Sequence, residues 1–245
     1  MQDGPASSFL TTADPAGMTD PRGAGAVAVR HRLALLLGTL QELVLPVPCT
    51  GCGSIGPPIC QDCRLALAPV PSLRHVGVQG LPVWSGLAYE GVARSVLLAF
   101  KNEGRTEHAP PLAAALRAAL ETALPALGTG PVSLVPMPAT IRSSRDRGYD
   151  PVRVVLRRAS LPSARLIRLQ RRAADQRALG REDRLRNVEG TMAARVAEGV
   201  RVLLVDDVVT TGATLSEAAR AVRVNGGTVL GAITVASTFR RSGAG

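Results

Sequence analysis

Two clusters of residues in this 245-residue chain have the type and spacing to do chemistry. The first holds every cysteine: Cys49-Thr-Gly-Cys52, seven residues, then Cys60-Gln-Asp-Cys63. Paired Cys-x-x-Cys turns each present two thiolates from one knuckle, the arrangement that suits tetrahedral Zn²⁺. Gly51 and Gly53 fit the tight turn. The surrounding stretch has too few apolar residues for a core of its own, and a bound zinc could supply on the order of 10 kcal/mol of folding energy. Two disulfides would need an oxidising compartment, and a redox dithiol would not explain two pairs. Zinc is expected, in a structural role, because four thiolates leave no open coordination position.

The second cluster is Val202-Leu-Leu-Val205-Asp206-Asp207-Val-Val-Thr210-Thr211-Gly212-Ala213-Thr214. A continuous apolar run reads as a strand buried on both faces. Its carboxyl end delivers two adjacent carboxylates, at the place where open α/β sheets hold their ligands. The Thr/Gly turn that follows leads into a helix, so N–H groups, hydroxyls and the helix dipole converge on one point suited to a phosphate. Carboxylates beside a phosphate cradle would repel most anions. They make sense for a ligand with a phosphate at one end and vicinal hydroxyls a few ångströms away, which describes a ribose 5-phosphate. A solvated loop with an ordinary helix cap would explain Thr but not the acidic pair.

The rest of the composition narrows the field. Hydrophobic residues at 46% are enough for a real core, while aromatics at 2% leave little material for stacking on single-stranded nucleic acid. The formal charge is +10, and 14 of the 29 basic residues against 5 acids lie between Arg142 and Arg186. That segment carries a net +9 and points to an anionic partner. All basic residues but Lys101 are Arg. Since Lys101 follows Phe100, there is no Gly-Lys-Ser/Thr phosphate loop. His31, His75 and His108 form no His-Glu-x-x-His pattern, and no Gly-x-Ser-x-Gly elbow occurs. Gly23 to Ala28 mimics a dinucleotide fingerprint but follows no strand.

These residues need elements to position them. Residues 1–28 read as a disordered tail without a secretory leader, and the chain is expected in the cytoplasm. Leu33–Leu45 reads as a short amphipathic helix, too short to span a membrane and ended by Pro46 and Pro48. With the cysteine region it makes a small module over 29–75. Residues 76–240 form the main domain, and 241–245 a second tail. Short apolar pieces at Val83-Trp84 and Leu87 to Tyr89 precede a helix from Val92 to Phe100, and Pro110-Pro111 opens a helix to about Leu124. Strands are expected at Val132–Val135, Leu166–Leu169, Val200–Val205 and Thr228–Ala236. Helices are expected from Asp150-Pro151 to Arg158 and from Thr214 to Val224. Strands alternating with helices imply an α/β fold with a mostly parallel sheet.

Residues 202–214 resemble the phosphoribosyl-pyrophosphate (PRPP) motif of type I phosphoribosyltransferases. With the zinc ribbon, the chain resembles the ComF family of bacterial competence and DNA uptake from about Leu43 to Ser237. Tyr89, Leu97 to Lys101, Leu134 to Pro138, Arg147-Gly148-Tyr149, Gln176, Arg184, Asn187 and Gly190 carry the likeness further. The chain departs from the family at Asp150, where Asn is common, and at Met192, where Phe is. The resemblance implies a type I phosphoribosyltransferase fold with an N-terminal zinc ribbon.

In that fold Asp206 and Asp207 would be the catalytic pair, holding the ribose 2- and 3-hydroxyls directly or through Mg²⁺. Thr210, Thr211, Gly212, Ala213 and Thr214 would wrap the 5-phosphate. The diphosphate would lie near Pro136 to Pro138, with Arg142, Arg145 or Arg147 nearby, and the Arg-rich stretch 170–187, including Arg184, corresponds to the hood over such sites. Lys101 reads either as a phosphate contact or as a surface lysine. The expected activity is a PRPP-dependent phosphoribosyltransferase with release of diphosphate, its acceptor and oligomeric state left open. The alternative is a non-catalytic adaptor that binds PRPP or single-stranded DNA and docks a DNA-uptake helicase.

Overall fold

The structure, a computed structural model, describes residues 47–139, 148–170 and 190–238. The tails expected over 1–28 and 241–245 and the helix expected over Leu33–Leu45 lie outside them. After the cysteine knuckle comes a short helix α1 (Gln61–Ala66), then strands β1 (Ser72–Val76) and β2 (Leu81–Ala88). Helix α2 (Gly91–Asn102), a 3₁₀ turn (Thr106–His108) and helix α3 (Ala109–Leu127) follow. The chain continues through β3 (Ser133–Pro136), α4 (Pro151–Arg158), β4 (Ile167–Leu169), β5 (Met192–Ala194), β6 (Arg201–Val209), α5 (Ala213–Val224) and β7 (Thr228–Ser237).

Five strands form the main sheet in the order β1-β2-β7-β6-β3. β2, β7, β6 and β3 are parallel, and only β1 runs antiparallel, as a hairpin partner of β2. β4 and β5 make a separate antiparallel pair. This is the α/β architecture, with a mostly parallel sheet flanked by helices, that the strand–helix rhythm implies. Strand alternation sorts the core. Leu203 and Val205 of β6 pack with α2, α3 and α4, while Val202 and Leu204 pack with α5, β4 and β5. All four are fully buried, which is why this strand reads as an unbroken apolar run.

Two elements outrun their expected ends by three residues or more. β6 continues past Val205 to Val209 because β7 keeps pairing beside it, Asp206 opposite Thr234 and Val209 opposite Ser237. The acidic pair therefore sits inside the strand. Helix α3 runs to Leu127 with Pro125 in its last turn. A proline there costs one backbone hydrogen bond, and burial of Ala123 and Leu127 against the sheet side holds the turn. The apolar pieces at 83–84 and 87–88 belong to one strand, β2, which ends just before Tyr89. Gly86 within it is where α3 crosses: a Cβ there would stand 2.0 Å from the Ala115 carbonyl oxygen.

The boundary expected between residues 75 and 76 falls within β1. The described residues on both sides of that boundary belong to one compact unit, and Cys49, Ile59, Cys63 and Leu67 share a hydrophobic cluster with Trp84 and Ala93. Asp150 caps α4 as expected, its carboxylate accepting the Arg153 N–H at 3.3 Å, with Pro151 in the first turn.

Candidate functional site

The parallel strands β2, β7, β6 and β3 all end on one side of the sheet, and the acidic pair and the Thr/Gly turn meet there. Asp206 Oδ1 accepts the Asp207 N–H at 2.9 Å, and Asp207 Oδ1 accepts the Val208 N–H at 2.7 Å. Each carboxylate is thus oriented by the residue after it. The chain turns through Thr210 and Thr211 into Gly212, whose φ of +80° is left-handed, and α5 begins at Ala213. Glycine is required twice over at 212, because a Cβ would also lie 2.4 Å from Val76. The twelve-residue helix α5 then points its N-terminal N–H groups at the turn. Arg74 on β1 braces this geometry by donating to the carbonyls of Thr210 and Thr238, both at 2.7 Å.

A cavity of about 380 Å³ lies over the pair, lined by Tyr89, Leu97, Lys101, Asp206, Asp207, Val208, Thr210 and Thr214. Thr211 and Ala213 line a second cavity, about 730 Å³, between the β1–β2 turn and α5. Alternation along β6 sends Asp207 toward α2, where Lys101 Nζ stands 2.7 Å from Asp207 Oδ2. Burial pushes the Asp206 carboxyl up to about 7, with the neighbouring Asp207 charge adding to it. Burial also raises Asp150, and Asp207 again contributes. Three carboxylates therefore feel one another at this end of the sheet. Phe100 of α2 meets Tyr149 edge-on, ring centroids 5.9 Å apart, which seats the Asp150 segment against the helix carrying Lys101.

The four cysteine sulfurs all lie within 4.8 Å of one another, and Cys52 Sγ and Cys60 Sγ are 3.6 Å apart. Thiolates at about 2.3 Å around a tetrahedral Zn²⁺ stand about 3.8 Å from each other, so the donor set and spacing fit this ion. The Cys60 N–H donates to Cys49 Sγ at 3.3 Å. Burial works against ionisation at Cys49, but N–H groups from Cys60, Cys52 and Gly51 prevail and lower its thiol to about 6. Burial raises the Cys63 thiol, which is the thiol a cation would most help to ionise. The knuckle sits on the α/β body: Thr50 Oγ1 is 2.8 Å from Nε2 of the fully buried His108. Gly51 leaves no room for a side chain, since a Cβ would lie 2.8 Å from Val92 Cγ1.

Asp206, Asp207, Thr210 and Thr214 thus converge on one cavity, with Gly212 forming the turn between it and the next. Cys49, Cys52, Cys60 and Cys63 form one cluster. Arg142, Arg145, Arg147 and Arg184 lie outside the described residues. Lys101 lines the same cavity, where it pairs with Asp207. Arg74 escapes sequence reasoning altogether, because one Arg among 28 carries no distinguishing signal. His108 had a weak one, as a polar residue just before the Ala-Pro-Pro start of a helix.

A family model for the phosphoribosyl transferase domain matches residues 148–244, the stretch from α4 through β7 that includes the acidic pair and the turn. No curated protein matches the chain. Among solved structures, the chain is similar to adenine phosphoribosyltransferase from Saccharomyces cerevisiae, with 15% identity over 73% of this chain and 89% of that one, at a TM-score of 0.35. It is similar to the adenine phosphoribosyltransferase of Leishmania tarentolae at 15% identity over 68% and 94%, TM-score 0.35. The UMP synthase of Leishmania donovani is matched at 15% identity over 55% of this chain, TM-score 0.33, and the chain spans 23% of its length. Among the described residues, no helix is long and apolar enough to cross a membrane.

Proposed function

We propose that this protein binds PRPP at the end of β6 and transfers its phosphoribosyl group with release of diphosphate. One observation carries the reading. Two oriented carboxylates share one cavity with Thr210 and Thr214, which flank a Gly turn at a helix N-terminus, within the segment that matches the phosphoribosyl transferase domain. Thr210, Thr211 and Thr214, with the N–H groups from Thr211 to Thr214, take the 5-phosphate. Asp206 and Asp207 accept hydrogen bonds from the 2- and 3-hydroxyls and stabilise positive charge growing at C1 as the bond to diphosphate breaks. The acceptor then attacks C1, and no protein nucleophile is needed.

Carboxylate oxygens are hard donors that suit Mg²⁺, and bound with PRPP this ion would neutralise the departing diphosphate. Arg142, Arg145, Arg147 and Arg184 are the proposed donors to that leaving group. Zinc on the four cysteines is proposed as purely structural, holding a ribbon that supports the transferase domain. The combination fits a cytoplasmic member of the ComF family with a part in DNA uptake.

The concentrated +9 segment between Arg142 and Arg186 supports a second reading, an adaptor that binds single-stranded DNA and a DNA-uptake helicase without catalysis. Its DNA binding should fall steeply with salt, with no diphosphate released from PRPP. Calorimetry with Mg-PRPP tests the first reading. The wild type should bind, and the double variant Asp206→Asn/Asp207→Asn should lose at least about 2 kcal/mol, or roughly thirtyfold in affinity. No binding by the wild type, or equal binding by the variant, would refute it.

A further inference from the structure

Lys101 is the one lysine among 29 basic residues, and its ammonium contacts one oxygen of the acidic pair. Nζ stands 2.7 Å from Asp207 Oδ2, with the lysine side chain 34% exposed and the carboxylate 13%. The other oxygen, Oδ1, already accepts the Val208 N–H. A guanidinium here would tend to claim both oxygens with its planar fork. A compact ammonium takes one lone pair of one oxygen and leaves acceptor capacity for a sugar hydroxyl.

The helix that carries Lys101 is held at both ends. Val92 in its first turn bears on Gly51 of the knuckle. Phe100, beside Lys101, is buried and packs on Tyr149. Just beyond the helix, His108 meets Thr50. The ammonium is therefore delivered to the carboxylate by a fixed backbone. Around it Asp206, Asp207 and Asp150 gather three acidic groups where a phosphorylated sugar would arrive.

We infer that Lys101 is a positioning residue for the sugar: it holds Asp207 in place and supplies the positive charge that lets a phosphorylated ribose approach the acidic pair without a divalent cation. This rests on the sugar-phosphate reading above, and it divides recognition into two parts. The ribose 5-phosphate end is read by the chain's own cation, and the divalent ion is left to the diphosphate.

The probe is ribose 5-phosphate, titrated calorimetrically into the full chain, first in buffer without added divalent cation and then with Mg²⁺. The wild type should bind in both, with less than about a twofold difference. Lys101→Met should bind about tenfold more weakly without Mg²⁺ and recover part of the loss when Mg²⁺ is added. Lys101→Arg should fall between the two. On an Asp207→Asn background, Lys101→Met should cost clearly less than in the wild type, since the part of its role that acts through Asp207 is already gone. Thermal unfolding of each variant separates these effects from misfolding, and the arginine variant retains the charge if the methionine variant fails to fold. Lys101→Met binding as tightly as wild type without Mg²⁺ would overturn the inference, as would an equal loss on the Asp207→Asn background. A wild type that binds Mg-PRPP but not ribose 5-phosphate alone would overturn it and leave the transferase reading standing. A wild type that binds neither would bring down both.

Discussion

At the scale of single residues, Asp206 couples the site to pH. An aspartate in an unfolded chain titrates near about 3.9, whereas burial and the adjacent Asp207 hold this one up to about 7. The folded protein keeps a proton that the unfolded chain has already lost. Stability from this group is therefore full below about pH 4, declines as pH rises toward about 7, and is flat above that. Asp206→Asn should accordingly raise Tm by several degrees at about pH 8, with no divalent cation added, and by little near about pH 4; a uniform shift across that range would show another cause. Arg74→Met should loosen the Thr210 carbonyl and weaken Mg-PRPP binding by about three- to tenfold, the net worth of about one ordinary hydrogen bond, with a smaller change in Tm than Gly86→Ala below. The acidic pair and the Cys-x-x-Cys spacing were legible because their chemistry is local in sequence. The Lys101–Asp207 and Arg74–Thr210 contacts were not, because they join positions more than a hundred residues apart that only the folded sheet brings together.

At the scale of elements, close approach explains what patterning left out. β1 has a polar, half-exposed alternation, Ser72 to Val76, that gives no strong strand signal, and β2 contains Pro82 and Gly86, which read as breakers. The proline sits at the outer end of the strand, opposite His75. The glycine makes room for the α3 backbone. Gly86→Ala would drive a methyl group into the Ala115 carbonyl, and since neither backbone can yield cheaply the variant should be destabilised by about 3 kcal/mol or more, read as loss of soluble protein or a large drop in urea midpoint. Gly212→Ala faces both a left-handed φ and the Val76 side chain. A cost of about 1–3 kcal/mol is expected, and Val76→Ala should relieve the steric share while leaving the conformational one. By contrast, α5 was legible almost to its ends, and β6 was legible up to Val205, where its buried apolar run stops. One is a buried parallel strand and the other an amphipathic helix after a phosphate-type turn, and both patterns are set by burial along their own length.

At the scale of the whole molecule, the cysteine knuckle and the α/β body unfold as one cooperative unit if the shared cluster holds them as the packing indicates. Cys49 and Cys63 lie in the same core as Trp84, Ala93 and Leu97. Stripping metal with a strong chelator should therefore lower the unfolding temperature of the entire described unit in a single transition. Two separate transitions, with the sheet unaffected, would contradict that. Cys52→Ser should reproduce the effect, since an exposed cysteine has little packing to lose and the change isolates its thiolate.

The seating of Thr50 on His108 and of Gly51 on Val92 has a further consequence, for modularity. A knuckle whose underside fits only one helix and one buried imidazole is not a cassette that can be moved between proteins. Grafted elsewhere it would lose its footing, and a chain trimmed to begin at residue 76 would bare Val92, Ala93 and His108 to water. The two parts are expected to be inherited together, as a single heritable block.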